Sequence, residues 1–266
     1  MTNFEIKNNK LVKCVTDEVN ITIPNGITSI GDFAFYNCSS IESVVISNTV
    51  TEIGECAFRS CTSLKSVKIS DSVVIINNGA FEYCSSLVSI IIPDSVIIIG
   101  EGVFRGCSNF SFIAIGNSVK KIGNGAFLGC STFTPIIKGM AFKANKKSFT
   151  NDYNEAVKML QTKDFSVKLY TPLKTVFVVG FYLETGDTAA ESFIKRGITR
   201  IMKFLIDENN FDAIMDLLET EKFVNAKNID TFIEYAYEQF NTELEYVFRN
   251  YKRNNINCND KLKCKL

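Results

Sequence analysis

ITIPNGITSIGDFAFYNCSSIES (Ile21–Ser43), VVISNTVTEIGECAFRSCTSLKS (Val44–Ser66), VKISDSVVIINNGAFEYCSSLVS (Val67–Ser89), IIIPDSVIIIGEGVFRGCSNFSF (Ile90–Phe112) and IAIGNSVKKIGNGAFLGCSTFTP (Ile113–Pro135) are five copies of one 23-residue phrase, and they decide the fold. A fixed period of about 20–29 residues marks a solenoid, because one such unit cannot bury its own apolar face and must stack on a neighbour. Within the phrase, Ile21 and Ile23, Val44 and Ile46, Val67 and Ile69, Ile90 and Ile92, Ile113 and Ile115 alternate with polar or variable positions. That is the period of a strand, so five short parallel strands are expected. A turn of Pro, Ser, Asn, Asp and Gly follows, then a second apolar pair such as Val50 and Ile53 or Val73 and Ile76, so the chain crosses the core twice per repeat. Phe35, Phe58, Phe81, Phe104 and Phe127 predict one stacked core column, and Ile41, Leu64, Leu87, Phe110 and Phe133 a second. Gly31, Gly54, Gly100 and Gly123 are expected where the backbone is tight or φ is positive, with the tolerant Asn77 replacing glycine once.

Composition narrows the function classes. Lysine plus arginine equals aspartate plus glutamate at 29 each, so no global field attracts nucleic acid or anionic lipid. Histidine is absent, which excludes Ser-His-Asp and Cys-His catalysis and removes the commonest general base. GEGVFRG and GNGAFLG mimic a dinucleotide loop only superficially, with the last glycine one residue late. Glu52, Glu55, Glu82 and Glu101 fall on variable positions and read as a solvated face. Of the nine cysteines, Cys38, Cys61, Cys84, Cys107 and Cys130 share one repeat position, where each acts as a small buried hydrophobe. Stacked thiols point the same way, against disulfides, and neither Cys56 with Cys61 nor Cys258 with Cys264 has zinc-site spacing. The expectation is therefore no catalytic residue, no metal and no cofactor.

The strand followed by IPxxVxxIGxxAFxxCxxLxS resembles the BspA-type leucine-rich repeat, over about half of the chain. The resemblance implies a curved parallel β-solenoid that binds other macromolecules, often as a surface antigen or adhesin, with no catalytic residues. The residues after Met1 (TNFEIKNNK) lack the apolar core of a secretory signal, and no stretch of about 18 apolar residues follows. A cytoplasmic protein without a transmembrane segment is expected, with the extracellular surface as the alternative.

Flanking segments complete an α+β organisation. FEIKNNKLVKC predicts a hairpin around Asn8 and Asn9 that caps the open end, giving residues 1–20 as a capping hairpin. Residues 21–148 form the solenoid, with a partial sixth repeat, a strand at Ile136 to Lys138 and an exposed crossing marked by Lys143, Lys146 and Lys147. Residues 149–266 turn helical. Asp152 and Glu155 form a capping pair before Ala156, Val157 and Leu160, and TPLKTVFVVGFYLETGD, apolar nearly all round, predicts a central buried helix. Shorter helices are expected at Thr188 to Lys195, Ile198 to Glu208, Phe211 to Glu221, Lys227 to Gln239 and Thr242 to Lys252, broken by Gly197, Asn209 with Asn210, and Asn241. TPLK resembles an ankyrin opening, and NNFDAIMDLLE and FNTELEYVFRN recur 31 residues apart, which implies an ankyrin-like array or a compact helical cap.

Binding, rather than catalysis, is the class these residues support. On the strand face, Thr22, Val45, Lys68, Ile91 and Ala114 should form an exposed ladder. Between the second apolar pairs, repeats three and four carry Val74, Ile75, Ile97 and Ile98 where the others are polar or charged, a patch rimmed by Glu52 and Lys121. A protein partner or self-association through that patch is expected, the alternative being that the patch is buried. The basic tail (Arg249, Lys252, Arg253, Lys261, Lys263, Lys265) could meet an acidic surface or be a solvated end, and an enzyme with a histidine-free site in the helical region is the competing reading.

Overall fold

This computed structural model describes residues 2–131, 133–142, 144, 148–169 and 171–256; Lys143, Lys146, Lys147, Cys258, Lys261, Lys263, Cys264 and Lys265, all named above, lie outside the described residues. Two compact units share the chain, Met1–Lys138 with Phe142–Lys158, and Gly139–Ala141 with Met159–Leu266.

In the first unit, β1 (Asn3–Lys7) and β2 (Lys10–Val15) form an antiparallel hairpin across Asn8 and Asn9, both left-handed at φ 50° and 61°. Asparagine tolerates that conformation better than most residues. Each repeat then adds one strand to each of two walls. The first wall contains β3 (Asn20–Thr22), β5 (Ser43–Val45) and β7 (Ser66–Lys68), then, as a separate ladder, β9 (Ser89–Ile92), β11 (Phe112–Ile115) and β13 (Thr134–Ile137). The second wall is continuous: β4 (Ser29–Ile30), β6 (Glu52–Ile53), β8 (Ile75–Ile76), β10 (Ile98–Ile99) and β12 (Lys121–Ile122) follow in parallel from β2. The final strand of the first wall starts two residues before the expected Ile136, because the repeat register carries on and turns Pro135 and Ile137 inward.

Between the walls run the two core columns. Neighbouring rings of Phe35, Phe58, Phe81, Phe104 and Phe127 are 4.7, 5.3, 5.9 and 5.5 Å apart and nearly parallel. Repetition forces that stacking, since equivalent rings must occupy equivalent places. At the ends the geometry changes to edge-on: Phe4 meets Phe35 at 6.5 Å and 70°, and Phe149 meets Phe127 at 5.5 Å and 72°. Edge-to-face contact suits a terminal ring, whose positive rim faces the next ring's negative face.

Phe149 belongs to α1 (Phe149–Thr162), which starts three residues before the expected capping pair. Burial of Phe149 at 2% exposure accounts for the extra turn, and Asp152 lies inside it with its amide donating to Ser148 O. The helix also closes the second wall. Asn154 accepts from Ile122 N (2.9 Å) and donates to Ile122 O (2.8 Å), and Tyr153 Oη donates to Val119 O (2.9 Å). One side-chain amide thus replaces the next strand, so the edge does not offer a free template for pairing.

The second unit contains β14 (Met140–Ala141), α2 (Thr171–Thr185), α3 (Thr188–Asp207), α4 (Phe211–Glu219), α5 (Ile229–Glu238) and α6 (Thr242–Tyr251). The all-round apolar α2 buries Leu173, Val176, Phe177, Val178, Val179 and Tyr182. Gly197 does not break a helix: α3 is continuous, because Ala190, Ile194, Ile201 and Leu205 make one buried stripe on both sides of it. Burial along that stripe outweighs the glycine's cost of about 1 kcal/mol. Asn210 repeats the amide device, accepting from Ala141 N (2.9 Å) and donating to Ala141 O (3.0 Å).

Candidate interaction surface

Three outward strips flank the core of the first unit. Along the second wall the register pairs Glu52, Ile75, Ile98 and Lys121 in that order. Val74 and Ile97 join the same patch, Ile97 N donating to Val74 O (2.9 Å). Ile98 is 38% exposed, while Val74, Ile75 and Ile97 are half-buried, so the structure brings the four apolar residues together between the acid and the base. Asn77 donates to Glu52 Oε1 at 2.7 Å and holds that acid at the rim.

On the first wall, Val45 is paired beside Lys68 and both are exposed, and Ile91, at 66% exposure, is paired beside Ala114. Lys68 and Ile91 are not hydrogen-bonded neighbours. The ladder is interrupted there, and Val67 and Ile69 rise to 8% exposure where their equivalents stay at or below 4%.

The third strip lies on the turns, and sequence reasoning missed it. Every repeat has two left-handed turn residues, and the expected glycines are not among them but occupy the tight backbone that was the other half of their expectation. Gly31, Gly54, Gly100 and Gly123 serve close approach instead: a Cβ on Gly123 would sit 2.3 Å from Glu101 N, and one on Gly54 2.7 Å from Asp32 N. The left-handed positions come two and six residues later. Repeats four and five fill them with Gly102, Gly125, Gly106 and Gly129; earlier repeats place Phe33 (φ 57°), Cys56 (φ 51°), Asn37 (φ 58°), Ser60 (φ 60°) and Tyr83 (φ 58°) there. A bulky side chain in that conformation costs about 1–2 kcal/mol.

Around those positions stands a ridge of rings and guanidinium groups. Phe33 and Tyr36 are each 52% exposed and meet edge-on at 5.9 Å. The Arg59 guanidinium lies 5.8 Å from the Tyr83 ring centre, and the Tyr83 ring lies against Gly106, where a Cβ would come within 2.4 Å of Cδ1. Glu82, expected on a solvated face, is buried at 8% exposure between Arg59 (3.3 Å) and Arg105 (3.9 Å). Repetition is the reason, since its neighbours above and below in the column are cations. Glu52, Glu55 and Glu101 are exposed as expected. The signal available in the sequence was the departure of Phe33 and Tyr83 from the glycine of later repeats.

Inside the turns, the thiols of Cys61, Cys84, Cys107 and Cys130 donate to the carbonyl oxygens of Phe35, Phe58, Phe81 and Phe104 at 3.0–3.2 Å. Burial pushes the Cys61 thiol up to about 12, with neighbouring thiols adding to it, and Cys84 and Cys107 move the same way for the same first cause. These thiols stay protonated and act as packing groups. Among the described residues no three Asp, Glu or Cys converge as metal ligands, and no helix is long and apolar enough to cross a membrane.

Comparison with known proteins follows this geometry. The model of the BspA type leucine rich repeat region, in six copies, matches residues 5–166. A leucine-rich repeat protein of T. pallidum is 28% identical over 50% of this chain and 67% of that one, with a TM-score of 0.46. One from Bacteroides capillosus is 30% identical over 42% of this chain and 91% of its own, with a TM-score of 0.37. A leucine rich cell surface protein of Faecalibacterium prausnitzii is 25% identical over 54% of this chain and 56% of its own, at a TM-score of 0.31. Among curated proteins, none matches. Because the family match runs through every repeat described above and into the closing helix, the chain belongs to the BspA-type leucine-rich repeat family.

Proposed function

We propose that this chain is a non-catalytic recognition module whose repeat surface grips a protein partner, with the ridge of Phe33, Tyr36, Arg59 and Tyr83 as the anchor. One observation carries the reading: two large exposed rings are kept on left-handed backbone where the same fold uses glycine elsewhere. Tyrosine, arginine and other large aromatic anchors dominate the energetics of protein interfaces. Val74, Ile75, Ile97 and Ile98 form a second contact, for the partner or for another copy of the chain, and Val45, Lys68 and Ile91 a third.

The helical unit is a second recognition surface in this reading. Asn210 and Asn241, 31 residues apart, each stand before the second helix of a hairpin, α3–α4 and α5–α6, a spacing shorter than the about 33 residues of an ankyrin repeat, and a compact helical cap is the alternative. No nucleic acid is expected, given the balanced charge. In this reading the chain meets its partner in the cytoplasm, with the cell surface as the alternative; tagging of the native chain on intact cells by an impermeant reagent would decide for the cell surface.

The test uses Phe33→Gly with Tyr83→Gly, and separately Ile75→Ser with Ile98→Ser, as baits in extract of the native cell. The ridge pair is expected to lose the partner that the unaltered chain captures while remaining folded. Capture equal to the unaltered chain would refute the ridge. Mass in solution of the Ile75→Ser, Ile98→Ser variant reports self-association.

A further inference from the structure

The second unit contains a cavity of about 610 Å³ that the repeat surface does not explain. Its floor is the aromatic pair Phe165 and Phe193, 6.0 Å apart. Along one side, Arg196 and Arg200 stand one helical turn apart on α3, both exposed. Among the described residues neither guanidinium has an ion-pair partner. The acids nearby are engaged: Asp187 holds Lys163, Glu191 holds Lys195 and Lys222, and Asp164 accepts from Ser166 N and Oγ. Asp164 also lines the cavity, with Lys163, so its wall carries three cations, Lys163, Arg196 and Arg200, against one carboxylate, an excess of positive charge in a chain whose acids and bases are otherwise equal in number.

A further cation adds to that field. Lys174 donates to Phe165 O (2.6 Å) and Val167 O (2.9 Å), tying the loop to α2, and its ammonium lies 4.8 Å from the Phe193 ring centre. Burial, and then the charge of Arg200, hold its pKa below the ordinary lysine value. Arg196 Nε donates to Ser192 O (3.2 Å), which leaves its terminal amino groups available. Arg200 folds back over Gly197, where a Cβ would lie 3.4 Å from Nη2. The guanidinium thus lies close against the mid-helix backbone.

We propose that this cavity binds a phosphate monoester, the two guanidiniums of Arg196 and Arg200 holding the phosphate and Phe165 with Phe193 receiving the carrier. Two positive forks match the roughly −2 charge and three acceptor oxygens of such a group better than they match a single carboxylate. The cavity is of a size that accepts a small molecule or one side chain.

The full chain, titrated calorimetrically with phenyl phosphate, inorganic phosphate and the carboxylate phenylacetate, tests this. Phenyl phosphate is expected to bind saturably, about tenfold tighter than inorganic phosphate because the ring adds apolar contact, and phenylacetate at least about tenfold more weakly than phenyl phosphate. Arg196→Gln with Arg200→Gln should abolish the binding with the circular dichroism spectrum unchanged. No saturable phenyl phosphate binding, or equal binding by the double variant, overturns the proposal. A phosphoserine peptide identifies the carrier: binding as tight as phenyl phosphate means a modified partner chain, weaker binding a small molecule, and both uphold the site.

Discussion

The phenylalanine column and the ridge outside it occupy the same turns, two residues apart in the chain, yet they follow opposite rules. Inside, every repeat carries the same ring, each at 3% exposure or less. Outside, the equivalent positions carry Phe33, Cys56, Gly79, Gly102 and Gly125, which share a left-handed backbone and no side-chain chemistry. The difference teaches that stacking fixes a residue only where its neighbours above and below must touch it. Where they need not, the turn becomes a place to mount individual side chains.

Four measurements would break or sharpen that contrast. Phe81→Ala removes a ring stacked on both sides, and urea denaturation should show a loss of about 3–5 kcal/mol; a loss under about 1 kcal/mol would mean the column is not the core. Alkaline pH attacks the same interior. The folded chain raises the Cys61 thiol from 9.0 to about 12, so that contribution to stability is whole below about pH 9 and falls as pH rises toward 12. Denaturation midpoints at pH 8 and pH 10 should show the drop, and a Cys61→Ala, Cys84→Ala variant should show less of it.

Ridge substitutions should behave in the other direction. Phe33→Gly is expected to leave stability unchanged or raise it by up to about 1 kcal/mol, because it relieves a left-handed residue whose ring is half exposed. A loss above about 2 kcal/mol would assign Phe33 to the core. Glu82→Gln should cost about 0.5–1 kcal/mol, since both arginine partners are a third or more exposed and solvent screens the pairs. An unchanged midpoint in 1 M salt against 0.1 M would show that packing, not charge, holds Glu82.

Much of this was legible beforehand, and the limits have physical causes. Period and alternation revealed both walls, both columns and the thiol row, because those properties repeat. The apolar patch was legible as well: Ile75 and Ile98 must be neighbours once copies stack in register, and the β8–β10 pairing places them so. The ridge was not, because it depends on φ, which composition does not display; glycines at the tight positions drew attention from those two and six residues further on. Glu82 was misplaced since its burial depends on Arg59 and Arg105, each one repeat away. Gly197 was overread as a break because a local propensity near 1 kcal/mol was weighed without the buried stripe of α3.

Asn154 has one more implication. Its amide satisfies a strand's N–H and C=O, groups that every repeat of the second wall presents alike. The terminator therefore recognises backbone and not sequence, and would fit the last rung of an array of any length. Inserting or deleting one whole 23-residue unit upstream should yield a taller or shorter protein that still ends in the same clasp, so evolution could adjust reach without redesigning the stop.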